Sequence, residues 1–415
     1  MSNDHDETHA CEGEHPVTRP SVARYDAIIV GGSAAGLFAA ARLAQAGARV
    51  IVLERASEVG APTRTLIVTR ELERVLGFRP SAAIVHAVIH MDLHSRARKA
   101  SVTLRESDWI IDRGSMNRML FERAAAAGAE VALGTALVEV GLEGGVARVT
   151  AAVQGRSLLL TAPVLIGADG VRSDVARALG FGAARAVPLL QARIALPPGY
   201  DPSRVRIWFD RALTNYFLWL IPDSETTAVL GLVAEGGKPA RLVLDAFLQS
   251  HGLTPLEYQG AVIPLHMPWR RLERRAGKVR ALLVGDAAAH VKVTTVGGLV
   301  SGLLGARAAA ETVITGRPYA QAIASLQREL LIHDGMRWAL DRFVDADYDR
   351  LLGGLAPRTQ LWLATQPRDR VAEGLLSLIA GQPQLALLPL SAILRSAVRA
   401  PRREEMPHGQ TAWVR

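Results

Sequence analysis

Residues 25–54 read YDAIIVGGSAAGLFAAARLAQAGARVIVLE, and strand-like and helix-like patterns alternate along them. Residues 25–30 are a short apolar run typical of a buried parallel strand, residues 37–47 have the composition of a helix, and residues 48–54 are a second apolar run. Glycines and other small residues at 31–36 separate the first strand from the helix. A strand, a glycine-rich turn, a helix and a strand in this order predict the first βαβ unit of a Rossmann-like α/β domain with a parallel sheet.

The turn at residues 31–36, GGSAAG, has the features of a phosphate-binding loop. Gly31 permits a tight turn, the small residues at 32–35 let backbone N–H groups approach a pyrophosphate, and Gly36 allows the helix to pack closely on the strand. Glu54, about 20 residues after the turn, can accept hydrogen bonds from an adenosine ribose. Ser33 stands where the middle glycine of such loops is usual, and it is small enough to keep this approach open. The loop predicts a dinucleotide site without separating FAD from a nicotinamide dinucleotide.

Two later segments narrow the choice of cofactor. Residues 164–173, VLIGADGVRS, and residues 281–288, ALLVGDAA, each contain an apolar strand that runs into an aspartate, Asp169 in the first and Asp286 in the second. An aspartate at the carboxyl end of a buried strand can orient a ribityl hydroxyl, and the helix N-terminus that follows can face a flavin. Either aspartate alone could be a helix cap. Three such segments in this order indicate an FAD site.

The three segments together resemble the FAD-dependent proteins that include aromatic hydroxylases, flavin halogenases and geranylgeranyl reductases. Residues 285–298, GDAAAHVKVTTVGG, are similar to the GDAAG-x-x-K-P-x-T-G-G-G segment of the geranylgeranyl reductases. Asp112 and Arg113 are similar to the start of their DR-x-x-F-D-x-x-L-A segment, and residues 217–222, FLWLIP, to their Y-x-W-x-F-P strand. The resemblance covers nearly everything after residue 24. It implies FAD as cofactor, with contacts from Gly31, Gly32, Ser33, Ala34, Ala35, Gly36, Glu54, Arg55, Arg113, Asp169, Asp286, Gly297, Gly298 and Leu299.

The sequence departs from the family at positions that bear on the chemistry. Thr65 stands where family members commonly carry a cysteine, and Phe217 stands in place of the tyrosine of the Y-x-W strand. Val293 and Val296 replace a proline and a glycine beside the flavin. The only cysteine is Cys11, so an intramolecular disulfide or CxxC pair is excluded and redox chemistry requires a cofactor. These departures leave the expected flavin site intact and concern the proton donor and the substrate.

The resemblance implies reduction of C=C double bonds of an isoprenoid lipid by hydride transfer from reduced flavin. Such a reaction also needs a proton and an apolar enclosure. We expect Phe217 and Trp219 to line that enclosure, although Trp219 also suits an ordinary sheet core. Candidates for handling the proton or facing the reduced flavin are Tyr216, Thr65, His290 and Lys292. His290 could instead be hydrogen-bonded locally, and Lys292 could be a solvated loop lysine. No second GxGxxG segment follows, so the electron donor, NADPH or ferredoxin, stays open.

Two other classes of function fit the same motifs. The first is a monooxygenase or halogenase, because FLWLIP is one residue away from the halogenase W-x-W-x-I-P. Halogenation needs a lysine, and Lys99 is the one at a plausible distance along the chain, in a segment that reads as an exposed hairpin turn. The second is a flavin-binding, membrane-associated component without turnover of its own.

The organisation along the chain completes the prediction. We expect a disordered acidic tail at 1–23, an FAD-binding domain at 24–80, 100–185 and 278–330, an antiparallel substrate-binding sheet at 81–99 and 186–277, and a C-terminal helical cap at 331–415. Residues 374–394 carry no charge over 21 residues, contain Pro383 and Pro389, and are followed by arginines. They predict a helix pair that lies in the membrane interface, walls a lipid-sized cavity or packs in the core.

Charge and composition indicate which partners to expect. The net charge of +8 is the excess of 48 basic over 40 acidic residues. The basic residues are spread along the chain and not gathered into one segment, so we expect no nucleic-acid partner. We expect an apolar, isoprenoid-like substrate and no metal. The acidic N-terminus lacks the features of a signal peptide and predicts a cytoplasmic protein, with peripheral membrane contact as an open alternative. The oligomeric state is not predicted.

Overall fold

The computed structural model describes residues 22–60, 64–234, 239–382 and 384–399, and these form eighteen strands and twelve α-helices. The strands are β1 (Val22–Arg24), β2 (Ala27–Val30), β3 (Val50–Leu53), β4 (Thr65–Val68), β5 (Ile84–His94), β6 (Lys99–Asp112), β7 (Glu130–Ala132), β8 (Thr135–Glu143), β9 (Val146–Val153), β10 (Arg156–Ala162), β11 (Val164–Gly167), β12 (Ala186–Ala195), β13 (Arg204–Trp208), β14 (Leu218–Pro222), β15 (Thr227–Val233), β16 (Pro255–Pro264), β17 (Glu273–Ala276) and β18 (Val279–Leu283). The helices are α1 (Ala34–Gln45), α2 (Glu71–Leu76), α3 (Arg113–Ala126), α4 (Asp174–Ala178), α5 (Ala240–Ser250), α6 (Leu299–Thr315), α7 (Tyr319–Ala322), α8 (Ala324–Leu340), α9 (Asp345–Gly353), α10 (Pro357–Thr365), α11 (Val371–Gly381) and α12 (Gln384–Arg399).

A six-stranded sheet forms the centre of the first part of the molecule, in the order β17-β18-β11-β2-β3-β7. All neighbours are parallel except β17 and β18. Strands β2, β11 and β18 run side by side and end in register at Val30, Gly167 and Leu283. The α/β, Rossmann-like prediction is therefore confirmed, and the three motif segments follow neighbouring strands at one edge of the sheet.

The two faces of this sheet are covered by different layers, because successive strand residues point to opposite sides. Ile29 and Val52 pack into a core with helices α1, α3 and α6. Ile28 and Ile51 pack on the other side against a four-stranded sheet of order β1-β10-β9-β8. The sequence does not predict this second sheet, because the apolar alternation of its strands is that of any half-buried strand.

A third sheet of eight strands, in the order β16-β12-β15-β14-β13-β5-β6-β4, forms the rest of the β-structure. Its neighbours are antiparallel except for β13 and β5. Helix α5 covers one face, where Leu244 and Phe247 pack with Leu218 and Leu230. The antiparallel substrate sheet predicted from sequence is this sheet, and its uncovered face turns towards the cavities described below.

Three boundaries differ from the predicted division. Strands β4 and β6, assigned to the FAD-binding domain, belong to the eight-stranded sheet, because the long strand β6 pairs with both β4 and β5. Strand β17, assigned to the substrate sheet, pairs with β18 in the parallel sheet. Val22 and Ala23, assigned to the tail, form β1 with Arg24 and pair with β10. Apolar periodicity identifies a strand without saying which sheet it joins.

Among the C-terminal helices of the predicted cap, α9 and α10 pack on β6 of the eight-stranded sheet, and α11 and α12 pack on α8 and on each other. Helix α10 lies against β6, and Thr359 of α10 donates a hydrogen bond to Gln382 after α11. Helix α12 continues through Pro389, which was expected to interrupt it. None of the helices within the described ranges is long and apolar enough to cross a membrane. Most of the predicted tail, with Cys11, and Pro383 lie outside the described residues.

Candidate functional site

A first cavity, here called the cofactor cavity, lies at the carboxyl ends of β2, β11 and β18. The turn after each of these strands contributes to its wall, as does the start of α6. The wall residues from these segments are Ser33, Ala34, Ala35, Ala168, Gly170, Gly285, Asp286, Gly298, Leu299 and Gly302. The position is the one at which open parallel sheets bind dinucleotides.

The turn after β2 can be built only with glycine at two positions. Gly31 has φ +108°, and a Cβ atom there would lie 2.4 Å from the carbonyl oxygen of Ala168. A Cβ atom on Gly36 would lie 2.1 Å from the carbonyl oxygen of Gly31. Ser33 caps α1: its hydroxyl accepts from the Gly36 N–H (3.3 Å) and donates to the Ala168 carbonyl (2.9 Å). Ser33 therefore joins the turn to β11 and still lines the cavity.

Glu54 follows β3 and its carboxylate holds the same turn. One oxygen accepts from the Gly32 N–H at 2.6 Å and the other from the Ala56 N–H at 2.8 Å. Arg55 beside it is exposed. Neither side chain forms part of the cofactor cavity's wall, so their contacts with a ribose stay predictions.

The wall of the cofactor cavity also contains three charged side chains, Asp286, Arg64 and Arg113. Burial raises the pKa of Asp286 above its usual range, against the opposing effect of Arg113 and Arg64. Burial and the neighbouring Arg113 lower the pKa of Arg64. The amide oxygen of Asn117, also in the wall, has no hydrogen-bond partner in the described part of the chain. This site fits FAD. The two guanidinium groups and the glycine-containing turn at a helix N-terminus suit the anionic pyrophosphate, and the unpaired amide oxygen can accept a hydrogen bond from the polar flavin ring.

Asp169 lies between two wall residues, Ala168 and Gly170, but is not itself part of the wall of this cavity. Its carboxylate accepts from the hydroxyl of Ser173 at 2.5 Å and from the N–H of Val175 at 3.1 Å, at the start of α4. Burial raises its pKa, and these hydrogen bonds act against that rise. The structure thus gives Asp169 the role of a helix cap, and a contact with the flavin stays a prediction.

A second cavity, here called the substrate cavity, lies between the eight-stranded sheet and the loop that precedes α6. It encloses about 1210 Å³ of empty space, its open mouth included, and most of its wall is apolar. Phe217 and Trp219 lie on this wall with their rings edge to face, 5.8 Å apart between centroids. Gly231 of β15 pairs with Trp219 of β14, and a Cβ atom on residue 231 would lie 2.5 Å from the indole ring. Glycine at 231 therefore leaves the space that the indole occupies, and any larger residue would displace the ring.

The two cavities share part of their walls. The shared residues are Leu66, Leu189, Gln191, Val296, Gly298 and Leu299. Gly297, between two of them, lines the substrate cavity alone. The two cavities therefore adjoin at these mainly apolar residues, which would form an incomplete partition beside a flavin ring bound in the cofactor cavity.

One end of the substrate cavity is polar and charged. The ammonium of Lys292 donates a hydrogen bond to Asp369, whose carboxylate also accepts from Thr69 at 2.6 Å. Arg368 forms an ion pair with Asp108 at 2.7 Å. Burial alone would raise the pKa of Asp369, but Lys292, Thr69 and Arg368 together hold it below its usual range. Burial raises the pKa of Asp108 despite Arg368.

Most of this charged end was not predicted from the sequence. Lys292 was a candidate, but its partner Asp369 is 77 residues away and enters from the segment between α10 and α11. Arg368 enters from the same segment, and Asp108 from β6. The available signal was the run of charges at 368–370 between two helices of apolar character.

Two predicted proton donors do not reach either cavity. His290 is fully buried against α6, where a Cβ atom on Gly305 would lie 2.2 Å from its Nδ1, and neither ring nitrogen has a partner within the described ranges. Burial lowers its pKa to about 3. Tyr216 packs beside Trp219 with the guanidinium of Arg337 over its ring at 4.5 Å. Thr65, in contrast, lines the substrate cavity.

Comparison with known proteins agrees with this geometry. The family described as FAD binding domain matches residues 24–194. The chain is 30% identical over 314 residues to digeranylgeranylglycerophospholipid reductase 1 of Methanopyrus kandleri, which covers 70% of this chain and 80% of that protein.

Solved structures show how widely the fold is shared. A geranylgeranyl bacteriochlorophyll reductase-like protein from Thermoplasma acidophilum superposes with a TM-score of 0.72 at 20% identity, over 86% of this chain and 100% of that one. A p-nitrophenol 4-monooxygenase from Pseudomonas putida superposes with a TM-score of 0.66 at 15% identity, over 83% and 97%. The fold alone thus includes both reductases and monooxygenases. The sequence relationship is more specific, and by it the chain belongs to the geranylgeranyl reductase family of FAD-dependent oxidoreductases.

Proposed function

We propose that this enzyme reduces C=C double bonds in the isoprenoid chain of a lipid. The observation that carries the proposal is the apolar substrate cavity, which adjoins the cofactor cavity across a shared wall. An isoprenoid chain is apolar and flexible, and it matches a long apolar cavity with few polar groups. The name of the Methanopyrus kandleri relative supports the same substrate class.

Each part of the cavity has a task in such a reaction. When FAD is bound and has been reduced by an electron donor, it would supply the hydride for one carbon of the double bond. Phe217 and Trp219 exclude water and hold the alkene at the junction of the two cavities. The other carbon needs a proton, and we assign it to the Lys292 ammonium, because Asp369 and Thr69 fix that group at the cavity's charged end.

A halogenase finds less support. Lys99, the lysine on which that reading depends, lies at the β5–β6 hairpin and forms an ion pair with Asp92 at 3.2 Å. It does not line the substrate cavity. A monooxygenase stays the alternative, and oxygen consumption distinguishes it from a reductase.

The experiment is anaerobic incubation of dithionite-reduced enzyme with geranylgeranyl lipids, followed by mass spectrometry. We expect each reduced double bond to add the mass of two hydrogens while the flavin is reoxidised. Lys292→Met should keep its FAD and lose turnover, with Lys99→Met as the matched control.

The proposal would be contradicted if the reduced enzyme left every geranylgeranyl lipid tested unchanged. Oxygen uptake with a hydroxylated product would favour the monooxygenase. Repeating the assay with NADPH or reduced ferredoxin identifies the electron donor.

We also propose peripheral contact with a lipid surface through α11 and α12. Leu376 and Leu387 are 81% and 59% exposed on these helices, in a stretch that carries no charge from residue 374 to 394. Exposed leucines on an uncharged surface bind the interfacial layer of a membrane. Vesicle flotation should recover the wild-type protein, and Leu376→Ser with Leu387→Ser should weaken that recovery.

A further inference from the structure

Val296 has a backbone conformation that its side chain disfavours. Three non-glycine residues within the described ranges have positive φ: Gln154, Ala289 and Val296. Val296, with φ +51°, is the β-branched residue among them. A β-branched residue in the left-handed region is strained, because its branched Cβ crowds the backbone. Such strain persists only where the surroundings impose it.

The surroundings of Val296 do impose it. The Lys292 N–H donates to the Gly297 carbonyl at 3.1 Å, and the Thr295 N–H donates to the Lys292 carbonyl at 3.2 Å. These bonds close a turn over residues 292–297. The Lys292 side chain is anchored by Asp369, and Gly298 begins α6 as its N-cap residue. The turn is therefore held at both ends, and residue 296 cannot relax into an extended conformation without breaking it.

The side chain of Val296 lies between the two cavities. It belongs to the wall of both the cofactor cavity and the substrate cavity. It also packs against the apolar cluster of Val187, Tyr216, Trp219 and Val233 on the eight-stranded sheet. Val296 thus connects the loop beside the flavin with the aromatic wall of the substrate cavity.

We infer that Val296 is a positioning residue, whose isopropyl group closes the partition beside the flavin and limits which part of a substrate chain can lie against the ring. This inference rests on the proposed function for its substrate. Glycine would adopt the same backbone without strain, yet it would leave an opening in the shared wall. Strain is retained at residue 296 because the side chain is needed there.

The test compares Val296→Gly and Val296→Ala with Gln154→Gly. Gln154 also has positive φ, +49°, but lies in the exposed turn between β9 and β10 and lines neither cavity. Both glycine variants relieve backbone strain, but Val296→Gly also removes the packing of the isopropyl group. The midpoint of thermal unfolding of Val296→Gly should therefore be compared with that of Val296→Ala, and it should be no lower, although glycine has the smaller side chain. Only the Val296 variants should change the flavin's reactivity.

The first readout needs no alkene: stopped-flow reoxidation of dithionite-reduced enzyme by oxygen. We expect Val296→Gly to speed reoxidation by about tenfold, because the opening admits oxygen to the ring, with Val296→Ala between it and the wild type. The second readout is the distribution of partly reduced products from a geranylgeranyl lipid. It should broaden in Val296→Gly, and turnover should fall by about tenfold as the alkene is held less closely.

The outcomes separate this inference from the proposed function. If Val296→Gly matches Gln154→Gly in both readouts, the positioning role is overturned. If Val296→Gly has a lower unfolding midpoint than Val296→Ala, the strain at residue 296 is overturned. If the wild type reduces no isoprenoid but Val296→Gly still speeds reoxidation by oxygen, the proposed function fails and the role of Val296 as a partition beside the flavin is upheld.

Discussion

The cofactor cavity and the substrate cavity meet at one wall, yet they are built differently. The side of the cofactor cavity at the carboxyl ends of the parallel strands is formed by backbone and small side chains in three short turns, each directly after a strand. The charged end of the substrate cavity is formed by side chains from the loop before α6 and the segment between α10 and α11, and Asp108 of β6 pairs with Arg368 there. The first depends on local turn geometry, and the second depends on how distant segments pack.

This difference predicts different responses to substitution. The turns of the cofactor cavity should lose FAD binding when an added side-chain atom prevents two backbone segments from packing closely. They should retain FAD when a substitution leaves the backbone in place. A site made of paired charges should fail when one partner is removed, because a buried charge without its partner is costly. Substitutions at Gly31, Asp369 and Ser33 test this contrast, and a substitution at His290 tests a buried group that lines neither cavity.

The largest effect is expected for Gly31→Ala. The new methyl group would overlap the Ala168 carbonyl, 2.4 Å away, so the turn cannot close and the purified protein should lack FAD. Gly47→Ala is the matched control, since Gly47 also has positive φ, +85°, but has open space around its Cβ position. It should cost about 1 kcal/mol of stability and retain FAD. Equal flavin absorbance in the two variants would show that the close approach is not required.

Asp369→Asn should destabilise the fold by about 3–5 kcal/mol, because it leaves the buried Lys292 ammonium without a counter-charge. Chemical denaturation measures this difference. Glu311→Gln, in the exposed pair with Arg317, should change stability by less than about 1 kcal/mol. The double variant Lys292→Met with Asp369→Leu should recover much of the stability and none of the turnover. Full turnover in that double variant would contradict the role of Lys292.

His290 should make stability depend on pH. Its pKa is about 3 in the folded protein, below the usual 6.5, so below pH 6.5 the unfolded chain binds a proton that the folded protein does not. Stability is complete above pH 6.5 and falls as the pH drops towards 3. Between about pH 7 and about pH 5 the loss should be about 2 kcal/mol.

His290→Gln should remove this part of the pH dependence. Urea unfolding at the two pH values measures it, with the exposed His251→Gln as control. An unchanged difference in His290→Gln would mean that other groups titrate in this range.

The smallest effect is expected for Ser33. Ser33→Ala removes the cap of α1 and the bond to Ala168 and should cost about 1 kcal/mol, whereas Ser33→Gly should cost a few tenths. Both should retain FAD, measured by flavin absorbance relative to protein, because the backbone of the turn is unchanged. Loss of FAD in Ser33→Gly would show that the hydroxyl itself binds the cofactor.

The turns of the cofactor cavity could be predicted from the sequence because each depends on residues next to one another in the chain. Gly31, Gly36 and Asp286 lie next to the strands whose ends they follow, and their spacing reflects the turn each must make. The charged end of the substrate cavity could not be predicted in the same way. Lys292 was noticed in its motif, but nothing near it in sequence indicates Asp369.

Two predicted proton donors, His290 and Tyr216, line neither cavity, for a related physical reason. A motif places the backbone of a residue near a cavity, whereas the direction of its side chain depends on what packs around it. The space above Gly305 takes the imidazole of His290, and Arg337 lies over the ring of Tyr216. Residues 217 and 219 alternate in phase with the cavity face of β14, and both line the cavity.

The sequence by itself therefore determined the parallel sheet, the FAD turns and the family, because these depend on glycines and apolar runs at fixed local spacing. Only the tertiary structure decided which strands share a sheet, where the two cavities meet, and which charges pair at the substrate end. Those features depend on contacts between residues far apart in the chain, such as Thr69 with Asp369, which local spacing does not encode.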